Sequence, residues 1–540
     1  MKSSISGASA NQVEIIEAFL TTRATNFFLN SIQLIKSNSK SFDHFHISAT
    51  RNNPSCKISY TTDASIRWAL NAIETWFVEE SSPTFDFESA PAFQFRGVIE
   101  GFYGAPWTQA ERLRGVTRFA DFGMNLFMIA PKDSPWQRFN WRLPFAEDFL
   151  SEMKKLVDAG RVNCINVSSS VSPGLSVSYS DLADVAAVAF RFEQLMDIGM
   201  THIGLLYDDI PWELQTASDI KKYSSTALAH ADFANQVYQR LLKKNANVVM
   251  TVCPMHYSGR GPSVYLQELG EVLDSRINLM WTGRQICSEY LDISDALIFK
   301  NDTKRAPFYW DNFPVNDGSM AKSLHIAPIQ GREVGLENHS IGLLSNPMTQ
   351  FELSLIPVST IGDYLWNSKD YNPEISWERG LRRLIQNESD RLAARKVLRC
   401  SLGSCLGGDP APDLRRVFNT GITAWRKGEL EVSAKVFEDE AKSMIAAANQ
   451  IESSRYSMPS ISRELAPWLI KFKVGAEVLA GLGAVIRKCT FNSEMKIIRG
   501  TAKEITRLHE LREILEEPKK NLFGDQLAGP MQELITELSA

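Results

Sequence analysis

From Phe95 to Asn346 the chain repeats one rhythm: a short apolar run, then an amphipathic stretch of helical period. The runs are GVIEGF at Gly97, NLFMIA at Asn125, CINVSS at Cys164, HIGLLY at His202, NVVMTV at Asn247, INLMW at Ile277, PFYW at Pro307 and GLLSN at Gly342. Their hydrophobicity is continuous rather than alternating, as expected of strands buried on both faces in a parallel sheet covered by helices. Start and stop signals separate the units. Thr108 and Glu111 have capping-box spacing before an amphipathic run, and Gly123 stands where that run ends. Eight strand–helix units in about 300 residues predict a (β/α)8 barrel. A doubly wound open sheet is the alternative, but that architecture more often carries a Gly-rich fingerprint after its first strand, and no GxGxxG occurs.

The flanks read differently, and 540 residues are too many for one core. Residues 1–93 predict a small N-terminal α/β domain: a helix at Val13–Leu20, an alternating stretch at His44–Ser48 and a helix at Ala64–Phe77. Ser81–Pro91, with its Ser, Pro and acidic residues, reads as a linker to a catalytic barrel at 94–379. After Trp377 strand signals stop. Long amphipathic patterns at Asp413–Trp425, Leu430–Ile451, Ile461–Ile486 and Glu494–Leu515 predict a C-terminal helical bundle at 380–540. Its apolar faces either close on themselves or meet a partner, and a homodimer is one such arrangement.

Composition excludes several classes. A net charge of −5 with evenly mixed signs lacks the basic stripe of a nucleic-acid binder. The best apolar stretch, Val474–Ile486, is flanked by Lys471, Lys473, Arg487 and Lys488 and falls short of the roughly 20 residues a membrane span needs. Seven cysteines, an odd number with no CxxC, argue against a disulfide scaffold or a structural zinc site. MKSSISGASANQVEI has no apolar signal core, so a cytoplasmic location is expected unless a leader has been removed.

In such a barrel the strands carry the chemistry at their C-terminal ends. Those ends read Glu100-Gly101-Phe102-Tyr103-Gly104, Ala130-Pro131-Lys132-Asp133, Ser172-Pro173-Gly174, Asp208-Asp209, Pro254-Met255-His256-Tyr257, Trp281-Thr282-Gly283, Trp310-Asp311-Asn312 and Ser345-Asn346-Pro347. Carboxylates and amides bind hydroxyls and aromatic faces stack on pyranose rings, so the mixture suits a sugar. Asp208-Asp209 is the sharpest feature. At a strand end the chain turns, and both side chains can reach one pocket. Two close carboxylates of low dielectric disfavour joint ionisation, so one is expected to hold the proton a general acid requires. Each residue type also has an ordinary use: a DD pair as a turn, an exposed lysine, tryptophans filling a core. His202 and His256 are the only hint of a metal, without HxH or HExxH spacing, so neither metal nor other cofactor is expected.

Taken together, these blocks resemble glycoside hydrolase family 84, the β-N-acetylglucosaminidases that act on O-GlcNAc proteins and the so-called hyaluronidases of some bacteria. The resemblance rests on RGVIEGFYGAPWT at Arg96, APKDSPW at Ala130, LLYDDI at Leu205, CPMHYSG at Cys253, LMWTGRQICS at Leu279, PFYWDNFPVND at Pro307 and LLSNPMTQFE at Leu343, with SPGL as a weaker echo on the third strand. It implies retaining, substrate-assisted hydrolysis, in which the substrate's 2-acetamido oxygen attacks the anomeric carbon to form an oxazoline. On matching positions it implies that Asp208 polarises the acetamido N–H and that Asp209 protonates the leaving oxygen and later activates water. It further implies that Tyr257 bonds the acetamido oxygen and that Asn312 lies beside the pair. Trp310 and Cys253 would wall the acetamide pocket, with Gly101, Lys132, Asp317 and Asn346 on the sugar hydroxyls. The resulting expectation is an exo-acting enzyme on GlcNAc-bearing proteins or glycans. The alternatives are a hyaluronidase-like glycosaminoglycan hydrolase or an inactive sugar-binding relative.

Overall fold

The eight apolar runs form eight strands: β1 (Phe95–Glu100), β2 (Leu126–Ile129), β3 (Asn166–Val171), β4 (His202–Leu206), β5 (Val249–Cys253), β6 (Asn278–Trp281), β7 (Phe308–Asp311) and β8 (Gly342–Ser345). The structure is a computed structural model and describes residues 3–22, 28–52, 54–79, 82–261, 263–455, 457–491, 497–498, 502–516 and 520–539. Each strand pairs in parallel with the next, and β8 pairs with β1 from Gly342 opposite Phe95 to Ser345 opposite Val98, closing a (β/α)8 barrel. The barrel is filled rather than hollow: Ile99, Leu126, Met128, Leu206, Met280 and Leu344 belong to one buried cluster inside it. Helices alternate with the strands, as the rhythm of the sequence requires. The capping box forms as predicted, with Glu111 N–H donating to Thr108 Oγ1 (3.2 Å) and Thr108 N–H to the Glu111 carboxylate (2.7 Å), and Gly123 follows the helix Gln109–Asp121 with φ +74°.

Two buried ion pairs fix the strand ends. Asp311, at the end of β7, accepts two bonds from Arg332 (2.6 and 2.9 Å), and the side chains are only 2% and 1% exposed. Adjacent residues on a strand point to opposite faces, so anchoring Asp311 outward turns Trp310 inward toward the rim. At the end of β1, Glu100 receives a bidentate contact from Arg112 (2.7 and 2.8 Å) and the Trp107 N–H (3.0 Å). Burial pushes the Glu100 carboxyl above its ordinary range, with Arg112 opposing.

The N-terminal region is a five-stranded sheet with the helices Ala10–Thr21 and Asp63–Glu79. Its strand order is Ser4–Ser6, Ser31–Lys36, Ser55–Tyr60, Phe45–Thr50, Thr84–Ser89. The last corrects the expected linker: Thr84–Ser89 is an edge strand, antiparallel to Phe45–Thr50. TFDFES alternates aromatic and acidic residues, and Phe85 stacks on Phe87 (5.4 Å), an alternation that the flanking Ser and Pro obscured. Ser81 lies outside the described residues.

The chain divides into two compact units, one comprising Met1–Phe313, Gln330–Pro347 and Val358–Asn372, the other Pro314–Ile329, Met348–Pro357 and Pro373–Ala540. The second is helical, with long helices at Pro412–Arg426, Leu430–Ser453 and Pro459–Ile486 around a core that includes Trp425, Phe437, Met444, Trp468 and Leu479. Part of the pattern expected over Glu494–Leu515 lies outside the described residues; a helix runs over Ala502–Glu516. Among the described residues no helix is long and apolar enough to cross a membrane.

The Arg332–Asp311 pair supplies a stability prediction. Arg332→Met leaves a buried carboxylate without its partner, which should cost about 3–5 kcal/mol, read as a lowered urea midpoint at unchanged slope.

Candidate active site

The chain leaves β4 through Tyr207, which is fully buried, and turns at Asp208-Asp209. Asp209 has φ +54°, a left-handed conformation that non-glycine residues seldom adopt and Asp tolerates better than most. The turn breaks strand alternation, so both carboxylates engage the same set of rim residues. Asp208, 5% exposed, pairs through Oδ2 with the ammonium of Lys132 from the loop after β2. Lys132 is itself buried and lies over the Trp310 ring, 4.9 Å from its centroid. The other Asp208 oxygen, Oδ1, is buried and has no hydrogen-bond partner among the described residues. Asp209 is held differently: its Oδ2 accepts from the Tyr103 hydroxyl (2.7 Å) and its Oδ1 from the Tyr257 hydroxyl (2.9 Å).

These partners set the charge. Burial by itself would raise the Asp209 carboxyl, but the Tyr103 bond, the Lys132 charge, the Tyr257 bond and the Arg138 charge together hold it below the ordinary carboxylate range. Two facing carboxylates alone would favour protonation of one; here Lys132 pairs with Asp208, and its charge is among those that hold Asp209 below the ordinary range. The two phenols remain donors: burial and the Asp209 charge push Tyr103 up to about 12 and Tyr257 higher still. The Cys253 thiol is also pushed up, by burial and then by Asp208, so it stays protonated.

The opposite wall is one hydrogen-bonded network. Asn346 accepts the Gly101 N–H (3.1 Å) and donates to Asn312 Oδ1 (2.8 Å), which also accepts the Trp310 indole N–H (2.9 Å). Asn312 in turn donates to the Ile286 carbonyl (2.8 Å). Both amides are thereby oriented, and Trp310 cannot rotate freely. Gly101 is required by space: a Cβ there would lie 2.3 Å from the Trp310 ring. Cys253 lies in the barrel's inner cluster with Trp310, and Tyr257 packs against that cluster.

The structure thus gathers Asp208, Asp209, Lys132, Tyr257, Gly101, Cys253, Trp310, Asn312 and Asn346 at one rim. Asp317 precedes the short 3-10 helix Gly318–Met320, on a segment grouped with the helical unit. Trp281 is core, stacked on Phe299 (5.1 Å). His202 sits at the start of β4 beside Phe95, away from the carboxylates, and His256 Nδ1 contacts the Ser263 hydroxyl (3.1 Å). Among the described residues no group of three or more His, Cys, Asp and Glu side chains could hold a metal. Two residues escaped the sequence reading. Tyr103 stood within EGFYG but was assigned no role, although a phenol at a strand end was a usable signal. Arg138, six residues past Lys132, carried no signal of its own.

The β-N-acetylglucosaminidase family model matches residues 96–398. The chain is 31% identical over 274 residues to protein O-GlcNAcase of Rattus norvegicus and 30% identical over 274 residues to that of Mus musculus. In each case the match covers 50% of this chain and 29% of the relative, so the chain spans well under half of those longer proteins. Among solved structures, a mutant O-GlcNAc hydrolase of Thermobaculum terrenum is similar, with a TM-score of 0.76 and 29% identity over 82% of this chain and 95% of that one. CpGH84B shares the fold, with a TM-score of 0.83 and 22% identity over 99% of this chain and 96% of that one.

The Gly101 approach is directly testable. Gly101→Ala should displace Trp310 and lower stability by about 1–3 kcal/mol, read as a lowered urea midpoint, while a well-folded barrel persists by circular dichroism.

Proposed function

This chain belongs to the β-N-acetylglucosaminidase family, and on that premise we propose that it is a retaining, exo-acting hydrolase of terminal β-linked N-acetylglucosamine that works by substrate assistance. One observation carries the reading. Asp208 presents a buried, unpartnered carboxylate oxygen beside Lys132, while the next residue offers a second carboxyl held separately by two phenols. A single acceptor of that kind suits an amide N–H.

With the sugar seated, the acetamido N–H donates to Asp208 Oδ1. As the acetamido oxygen attacks the anomeric carbon, positive charge grows on nitrogen, and the ionised Asp208 stabilises it more than it stabilises the neutral amide. Because nucleophile and electrophile share one molecule, positioning can supply up to about 7–11 kcal/mol of the barrier. No enzyme nucleophile is required, which sets this route apart from the two-carboxylate scheme. Asp209 gives a proton to the departing oxygen, and the resulting carboxylate then takes one from the water that opens the oxazoline. Two displacements at the anomeric carbon retain its configuration. In this reading Tyr257 follows the acetamido oxygen, with Trp310 and Cys253 enclosing the methyl group, and Lys132, Asn346 and Gly101 serving the ring hydroxyls.

Asp209 is held below the ordinary carboxylate range in the free protein, so it takes up its proton from solvent as the substrate binds. The sugar covers the carboxyl and its leaving oxygen competes with the phenols, both of which favour the protonated form. Protein-linked GlcNAc is the natural substrate we favour, in line with the names of the rat, mouse and Thermobaculum terrenum relatives. The seven cysteines are free thiols, which supports a reducing compartment. Residues 94–379 form the catalytic barrel in this reading, with 1–93 and 380–540 as accessory parts.

The decisive assay compares aryl β-N-acetylglucosaminides with the matching β-glucosides: only the former should turn over. Asp209→Asn should cost about 10²–10⁴-fold on a poor leaving group and far less on a good one, whereas Asp208→Asn should be severe on both. Equal turnover of the glucosides, or none of either, contradicts the reading. A second outcome follows from the carboxyl's low position. Binding of free N-acetylglucosamine, whose β-hydroxyl replaces the leaving oxygen, should take up protons and weaken as pH rises, measured by calorimetry in buffers of different ionisation enthalpy.

A further inference from the structure

Arg138 ends a short helix, Pro135–Arg138, in the loop after β2. That helix is pinned to β3 and the residue after it, with Gln137 donating to the Ser170 hydroxyl (2.8 Å) and its carbonyl accepting from Ser172 N–H (3.0 Å). Arg138 is 7% exposed, and its guanidinium reaches the turn after β4. Its Nη2 donates to the backbone carbonyls of Asp208 (3.2 Å) and Asp209 (3.0 Å), and its Nη1 donates to the Tyr103 hydroxyl (3.0 Å). Tyr103 passes its own proton toward Asp209 Oδ2 (2.7 Å). A closed ring results: guanidinium, phenol, carboxylate, and back through the Asp209 carbonyl to the guanidinium.

We propose that Arg138 is a positioning residue for proton donation: by holding both carbonyls of the Asp208-Asp209 turn and the phenol that grips Asp209, it keeps the left-handed backbone and aims the Asp209 carboxyl at the leaving oxygen. The inference rests on the hydrolytic reading above and deepens it. Three features favour this role over simple packing. One of the two carbonyls it holds belongs to Asp209, the residue of the pair with a positive φ. The contacts join three strand-end loops, that of Arg138 itself after β2 and those after β1 and β4, so the guanidinium fixes the distances between them. A planar fork suits the task, since three acceptors on two loops are engaged by two nitrogens of fixed geometry, which the single ammonium of lysine cannot reproduce. Arg138 touches neither the acetamide partner Asp208 Oδ1 nor the network of Trp310, Asn312 and Asn346 in the contacts described, so the effect should fall on the step that needs Asp209.

The test uses the full chain with Arg138→Lys and Arg138→Met, assayed on β-N-acetylglucosaminides with good and poor leaving groups, alone and combined with Asp209→Asn. Melting temperatures identify folded variants, and the lysine variant serves if the methionine one does not fold. The expected result is a fall in kcat, with KM little changed, that is about tenfold or more larger for the poor leaving group than for the good one. In the Asp209→Asn background that extra loss should vanish, since there is no acid left to aim. Equal losses on both substrates, or an extra loss that persists without Asp209, overturn the proposal while leaving the hydrolytic reading intact. Absence of turnover by the unsubstituted protein overturns both.

Discussion

Lys132 and Asp208 meet at the mouth of the barrel with both side chains almost out of water, and neither charge could be held there without the other. They come from the loops after β2 and β4, 76 residues apart in sequence, and only barrel closure brings them together. Much of the rim follows from this contact. It occupies one Asp208 oxygen and leaves the other buried without a partner among the described residues, and the Lys132 charge helps hold Asp209 below the ordinary carboxylate range. It also brings the ammonium over the Trp310 ring.

The two neighbouring carboxyls sit in different surroundings. Asp208 is paired with a buried ammonium. Asp209 is set by burial, which raises it, against two phenols, the Lys132 ammonium and a guanidinium, which together hold it below the ordinary carboxylate range. The remaining wall is built from amides that bond each other before any ligand arrives, so Trp310, Asn312 and Asn346 are already oriented. Preorganisation of this kind lowers the cost of fitting a substrate.

Much of this was legible in the chain. Continuous apolar runs separated by capped helical patterns specify a buried parallel sheet, and all eight matched strands. The polar residues after each run could be collected because a barrel exposes its strand ends on one face. Charge compensation was not legible: Lys132 read alone is an ordinary surface lysine, and only the folded rim sets its ammonium against Asp208 and near Asp209, which it helps hold below the ordinary carboxylate range. Arg138 was hidden for the same reason, since its acceptors are backbone carbonyls that no side-chain pattern announces. Thr84–Ser89 was misread because Ser and Pro at its margins outweighed a short alternation.

The central claim is that the substrate's own acetamide, polarised by Asp208, is the nucleophile. It is tested most directly by a series of aryl glycosides whose N-acetyl group carries none, one, two or three fluorines. Fluorine withdraws electrons from the amide oxygen while hardly altering its size. The account predicts a steep, progressive fall in kcat/KM along the series, by orders of magnitude between the first and last members. A flat series, with all four substrates cleaved at similar rates, would contradict it.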